Sequence, residues 1–241
     1  MSDALVIDRR FCGPPESANG GYTCGLLARY VGNPAEVTLW QPPPLDRPLA
    51  VERTSDGARL LDGNTLVAEA RAVEAVALDV PEPVSNASAR AAAASSWIIA
   101  TPEDHPFPTC FVCGPQRTAS DGLRVFVGPV DGSDGLYAAP WVPDASLPTG
   151  ESGAVAPEFV WATLDCAGGI GGLYDIDPSQ GPYVLGRLTA EVREPVAVGD
   201  QCVALGWPLG ASGRKLETGS AVYGANGRLA GRARATWISL Q

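Results

Sequence analysis

The sequence predicts an α+β fold built as two tandem units, each an antiparallel sheet wrapped around a central helix. Three observations lead there. Similar segments recur in the same order on either side of an Ala/Ser-rich stretch in the middle of the chain. Two turn dipeptides, Asp62-Gly63 and Asn226-Gly227, each sit inside an alternating strand pair, and Asp-Gly and Asn-Gly are the strongest short hairpin signals. The 241 residues include 28 Gly and 22 Pro, so turns are many and strands short, while 45% apolar and 18% charged residues describe a chain with a packed core rather than a disordered one.

The elements follow in order. Asn19-Gly20-Gly21-Tyr22 opens an apolar helical stretch that runs to Val31. A strand over 37–40 leads to a Pro-rich corner at Pro44-Leu45, and a hairpin turns at Asp62-Gly63 before a second strand over 66–70. Residues 81–108 read as a linker, because an Ala-rich helix over 84–94 is bracketed by Pro81 and Pro83 before it and by Pro102, Pro106 and Pro108 after it. The second unit repeats the pattern. Lead-in strands are expected over 123–130 and 136–141, and Ala156-Pro157-Glu158-Phe159 opens a helix that ends near Ala167. A meander over 184–193, 202–207, 215–223 and 229–238 follows, with a corner at Pro195-Val196-Ala197-Val198-Gly199-Asp200. The expected boundaries are thus 1–80, 81–108 and 109–241. A helix laid on one face of such a meander is the α+β arrangement.

Charge narrows the partners. With 17 Lys+Arg against 27 Asp+Glu the formal net charge is −10, which argues against nucleic acid, since phosphate neutralisation needs a basic face. A small anionic ligand held by a few gathered arginines remains compatible with that balance. No run of about 18 apolar residues is present, so no membrane partner is expected. The stretch Met1-Ser2-Asp3-Ala4-Leu5-Val6-Ile7-Asp8 lacks a basic start and is broken by Asp8, so a cytoplasmic location with six reduced cysteines is expected.

Asp165 is the most informative residue, because it interrupts the apolar helix Val160-Trp161-Ala162-Thr163-Leu164-Asp165-Cys166-Ala167. A buried carboxylate must be paired or carry a raised pKa, and a raised pKa suits a general base. A structural aspartate bonded to neighbouring backbone, or one on an exposed helix face, fits the same pattern. Both readings stand on the residues alone.

Three features together resemble the hotdog-fold superfamily as two tandem units, a double hotdog. They are Gly20-Gly21 at the first helix start, Cys110-Phe111-Val112-Cys113-Gly114-Pro115 with Asp121-Gly122-Leu123 before the second unit, and the corner at 195–200. The middle feature is similar to the lead-in of phenylacetyl-CoA-type thioesterases. That resemblance implies a catalytic acid on the helix, eight residues after a helix-opening glycine whose N–H polarises the thioester carbonyl. Counting back eight from Asp165 lands on Pro157, which has no N–H, whereas eight residues after Gly20 comes Ala28, which is no base. The resemblance further implies that glycine and acid come from opposite units, so that Gly20 and Gly21 with Asp165 complete one composite catalytic site beside a dead twin. Asn19-Gly20-Gly21 also reads as a plain helix cap.

The expected substrate-binding set is Asn19, Tyr22 and Trp161 beside those residues, with Arg187, Arg214 and Lys215 as candidates for CoA phosphates. Trp40, Trp161, Trp207 and Trp237 read as core or tunnel wall. Cys110-x-x-Cys113 with His105 invites a zinc reading, but a second Cys or His pair is missing, and a fourth ligand would have to come from Cys12, Cys166 or solvent. No metal, no required disulfide and no redox cofactor are therefore expected, and His105 reads as a loop residue. The expected function is hydrolysis of an acyl thioester, acyl-CoA or acyl-carrier-protein, with Asp165 as base or nucleophile. A hotdog-type dehydratase or hydratase and a non-catalytic acyl-thioester binding module are the alternatives, and a homo-oligomer is left open.

Overall fold

The computed structural model describes residues 3–150 and 152–241. The first part of the chain runs β1 (Asp3–Val6), α1 (Gly20–Ala28), β2 (Ala35–Leu39), β3 (Pro48–Arg53), β4 (Ala58–Asp62) and β5 (Thr65–Ala72). A connection carrying α2 (Asn86–Ala94) and the short α3 (Trp97–Ala100) leads to β6 (Gly128–Pro129), β7 (Tyr137–Trp141) and α4 (Pro157–Leu173). The chain finishes with β8 (Tyr183–Val192), β9 (Cys202–Ser212), β10 (Lys215–Tyr223) and β11 (Leu229–Ser239).

All strands join one sheet in the order β1-β3-β4-β5-β2-β8-β11-β10-β9-β7-β6. The seam between its two parts is the antiparallel pair β2 and β8, from Ala35 opposite Ala190 to Thr38 opposite Arg187. Helix α1 packs on β2, β4, β5 and β8, while α4 packs on β7 to β11. Along β8 the pleat sends Leu188 and Ala190 into the core and leaves Arg187 exposed on the other face. Turn chemistry is as the sequence suggests: Gly63 and Gly227 adopt φ of 57° and 74°, which glycine reaches without a Cβ penalty.

Both central helices are buried on nearly every residue and predominantly apolar, the signature of helices enclosed by other elements. They meet closely because α1 carries Gly21 and Gly25 four residues apart on one face. A Cβ at Gly21 would lie 2.3 Å from Asp165 Cβ, and one at Gly25 would lie 2.5 Å from Glu158 Cα.

Helix α4 extends six residues beyond the expected end at Ala167, through Gly168-Gly169-Ile170-Gly171-Gly172. Glycines cost a helix about 1 kcal/mol each relative to alanine. Here they admit neighbours: a Cβ on Gly169 would meet the Trp237 ring at 2.1 Å, and one on Gly171 would meet the Gly206 backbone at 2.8 Å. The bulk of packing removed from water outweighs the propensity loss.

Two other expectations are corrected. Residues 123–130 form a ladder only at Gly128–Pro129; the Leu123 N–H instead bonds Phe111 O at 2.8 Å and the Val125 N–H bonds Val112 O at 2.9 Å, so the segment braces the cysteine turn. Trp40, just past β2, is 53% exposed rather than core. Among the described residues no helix is long and apolar enough to cross a membrane.

The helix crossing and the hairpin turns make opposite demands on glycine. Gly25→Val is expected to lose about 3 kcal/mol or more by forcing α1 off α4. Gly227→Ala, which meets no atom within 4 Å but sits at positive φ, is expected to lose only about 1 kcal/mol. Urea unfolding of the two variants checks the contrast.

Candidate functional site

The site is built where the start of α1 meets the middle of α4. Asn19 caps α1, its Oδ1 accepting the Tyr22 N–H at 2.9 Å, a contact typically worth about 1 kcal/mol. The next free amide, Gly21 N–H, donates to Asp165 Oδ2 at 2.7 Å. Asp165 is 1% exposed, and its Oδ1 has no partner among the described residues. Burial pushes its carboxyl up to about 8, against the opposing pull of the Gly21 N–H and Asn19. Such a carboxyl is available in both protonation states near neutrality, and its free oxygen is one of two unpartnered carboxylate oxygens at this crossing, the other being Glu158 Oε2 at the far end.

Of the two expected glycines only Gly21 meets the carboxylate. Gly20 packs on Leu185 and Leu39 instead, with a virtual Cβ 2.9 Å from Leu185. Eight residues after Gly21 stands Arg29, at the opposite end of the crossing, where it forms an ion pair with the buried Glu158. Pro157 occupies the first turn of α4 there and offers no N–H. One end of the crossing therefore carries an amide and a half-satisfied carboxylate. The other carries an ion pair that engages Glu158 Oε1 and leaves its buried Oε2 without a partner among the described residues.

The expected substrate-binding residues scatter. Tyr22 stacks on Phe11 with centroids 4.4 Å apart and lies 5.5 Å from Phe159, and burial pushes its phenol up. Trp161 is buried against Gly21 and Gly25. Arg187 lies across the sheet from the helices, its Nε donating to Thr38 Oγ1 at 3.1 Å, in a polar groove of about 320 Å³ shared with Glu36, Asp56, Arg59 and Arg71. Arg214 gives its guanidinium to Ser239 O at 2.6 Å, and Lys215 is exposed beside it at the β9–β10 turn. These three bases are not assembled around Asp165.

Sequence reasoning missed the Arg29–Glu158 pair, and it named Cys166 only as one source, beside Cys12 and solvent, of a fourth zinc ligand. Glu158 and Arg29 had no signal beyond a charge in each helix. Cys166 had one, since it follows Asp165 directly: the Sγ atoms of Cys110, Cys113 and Cys166 lie within 4.8 Å of one another, all buried. Asn19 Nδ2 approaches Cys166 Sγ at 3.6 Å and Cys110 Sγ at 3.9 Å. His105 is elsewhere, stacked on Trp97 with its Nδ1 accepting the Phe107 N–H at 3.0 Å; burial holds its imidazole below the usual range. A groove of about 500 Å³ lies at the start of α4, lined by Pro148, Val155, Pro157, Val160 and Val196, next to the ion-pair end of the crossing.

No family model and no curated protein matches the chain. Solved structures do. A candidate thioesterase II from Thermobifida fusca YX is 16% identical and covers 99% of this chain and 93% of its own at a TM-score of 0.62. An acyl-CoA thioesterase II from Mycobacterium marinum is 10% identical over 98% of this chain and 91% of its own, with a TM-score of 0.62. A conserved protein of unknown function with a hot dog fold from Alicyclobacillus acidocaldarius is 13% identical over 99% and 92%, with a TM-score of 0.59. At these identities the likeness establishes the fold: the chain is an α+β protein of the hotdog type.

The ion-pair end is expected to behave as a buried charge with a single partner. Arg29→Met should destabilise by about 2–3 kcal/mol, because Glu158 is left in the core without its counter-ion, and adding Glu158→Gln should recover most of the loss. A double-mutant cycle by chemical denaturation measures it.

Proposed function

We propose that the chain consists of two tandem hotdog units, 1–80 and 109–241, joined by the linker 81–108, and that it hydrolyses an acyl thioester at one composite site between them. A single observation carries this reading: a fully buried carboxylate whose one oxygen takes a helix N-terminal amide while the other has no partner. An orphaned buried oxygen costs about 1–3 kcal/mol or more, so a site of this kind is a candidate for chemistry rather than packing. The fold shared with a protein described as an acyl-CoA thioesterase II supports acyl-CoA as the substrate class, and acyl-carrier-protein presents the same thioester chemistry.

In this reading Asp165 takes the proton of a water as its oxygen adds to the thioester carbonyl. The C–S bond then breaks, and the proton passes to the departing thiolate. Direct attack by the carboxylate, giving an anhydride that water opens, uses the same residue. The start of α1 stabilises the oxyanion through its amide and dipole. Because the Gly21 N–H is held by Asp165 at rest, the carboxylate must turn away for that amide to reach substrate. At the Arg29–Glu158 end Pro157 has no amide to give and an arginine holds the acid, so one site per chain is proposed.

The dehydratase alternative loses its histidine, since His105 stacks on Trp97 and is not among the groups acting on Asp165. The binding-module alternative is favoured by one observation, the 1% exposure of Asp165, which leaves the acid closed at rest.

A panel of acyl-CoA substrates with free-thiol detection tests the proposal. Asp165→Asn keeps the amide acceptor and is expected to lower turnover about a hundredfold or more while substrate binding survives. The paired change Arg29→Met with Glu158→Gln should leave turnover unchanged. A folded Asp165→Asn protein that turns over at the parent rate removes Asp165 from the mechanism, and a parent that binds acyl-CoA without releasing thiol leaves the binding module.

A further inference from the structure

We propose that Cys110, Cys113 and Cys166 bind one zinc ion through three thiolates. The sequence spacing argued against a metal because no second Cys or His pair exists, but α4 supplies the third sulfur from a lone cysteine. The Sγ atoms lie within 4.8 Å of one another, with Cys110 and Cys166 3.9 Å apart. Zinc–sulfur bonds of about 2.3 Å in tetrahedral geometry place sulfurs about 3.8 Å apart, so the trio needs to contract by less than about 1 Å. All three thiols are free and buried.

One polar side chain already faces the sulfurs. Asn19 aims its amide N–H group at two of the sulfurs, and its orientation is fixed because Oδ1 is taken by the Tyr22 N–H. The turn is tight, with the Gly114 N–H bonding Cys110 O at 2.9 Å, and a Cβ at Gly114 would lie 2.5 Å from that same oxygen. Three thiolates and a dication sum to one negative charge, which the Asn19 amide faces.

The fourth position is left to water or a small thiol, since no other His, Cys, Asp or Glu among the described residues completes the group. A soft, sulfur-only set selects zinc or copper(I) over magnesium or calcium. Zinc binding would tie the 110–113 turn to α4 beside the start of α1; the turn otherwise meets these helices through packing and weak contacts at sulfur, while α1 and α4 are already joined by the Gly21 N–H on Asp165. It is independent of the hydrolysis reading.

Elemental analysis of the full chain, produced with zinc and purified without chelator, is expected to give about one zinc per chain. Cys166→Ser should reduce this to near none, and Cys202→Ser, on β9 and outside the trio, should keep it. Chelator-stripped parent protein titrated with cobalt(II) should develop thiolate-to-cobalt charge-transfer absorption and intense tetrahedral visible bands that zinc abolishes; this readout stands even if Cys166→Ser fails to fold. Zinc-free protein with no thiolate–cobalt band overturns the proposal. So does stoichiometric copper(I) in place of zinc, or zinc that persists in Cys166→Ser. None of these outcomes depends on thioester turnover.

Discussion

The close crossing of α1 over α4 is the constraint on which the rest of the molecule depends. Two glycines one helical turn apart remove the side chains that would hold the helices apart, and what enters the space is Asp165, Trp161 and the backbone at Glu158. That contact sets the depth of Asp165, brings its carboxylate onto the Gly21 amide and places Cys166 next to the cysteine turn. It also fixes the spacing of the two sheet portions, because each helix rests on its own strands while β2 and β8 close the sheet between them. A crossing even one methyl wider would separate all of these together.

Much of the fold was legible because local signals agreed with the global arrangement. The Asp-Gly and Asn-Gly turns, the alternating strands around them and the Ala-rich helix fall where pattern reading puts them, and β10 spans the expected residues. Asp165 stood out because a charge inside an apolar helix is costly. What was hidden depends on contacts distant in sequence. The glycine run in α4 looks like a helix end until Trp237 and Gly206 are seen against it. Gly21 reads as part of a cap, and Gly25 carries no signal of its own until α4 is laid across it. Cys166 joins Cys110 and Cys113 only once the turn at 110–113 has folded onto α4. Arg187 was legible as a strand residue, but its side of the sheet depends on the register with β2.

The two ends of the helix crossing have diverged in chemical character, and each is consistent within itself. At one end an amide, a carboxylate and three sulfurs share a dry space in which every charge is strongly felt. At the other, Glu158 is neutralised by a half-exposed arginine, a pairing that keeps the helix start quiet. Aromatic packing among Phe11, Tyr22, Phe111 and Phe159 fills the volume between the turn and the helices and excludes water from both.

The seam between β2 and β8 also has a bearing on how the chain is made. Thr38 and Arg187, which face each other across it, are separated by 149 positions. At about 5–20 residues per second of synthesis, the edge of β2 spends roughly 7–30 s without its partner strand after it leaves the ribosome. During that interval α1, predominantly apolar and buried on nearly every residue in the finished fold, has no α4 to lie against. Nascent chains of this protein therefore pass through a state with an open strand edge and an uncovered helix, the features that invite chaperone capture or pairing with a neighbouring chain. The hydrogen bonds that unite the finished sheet are among the last to be available to it.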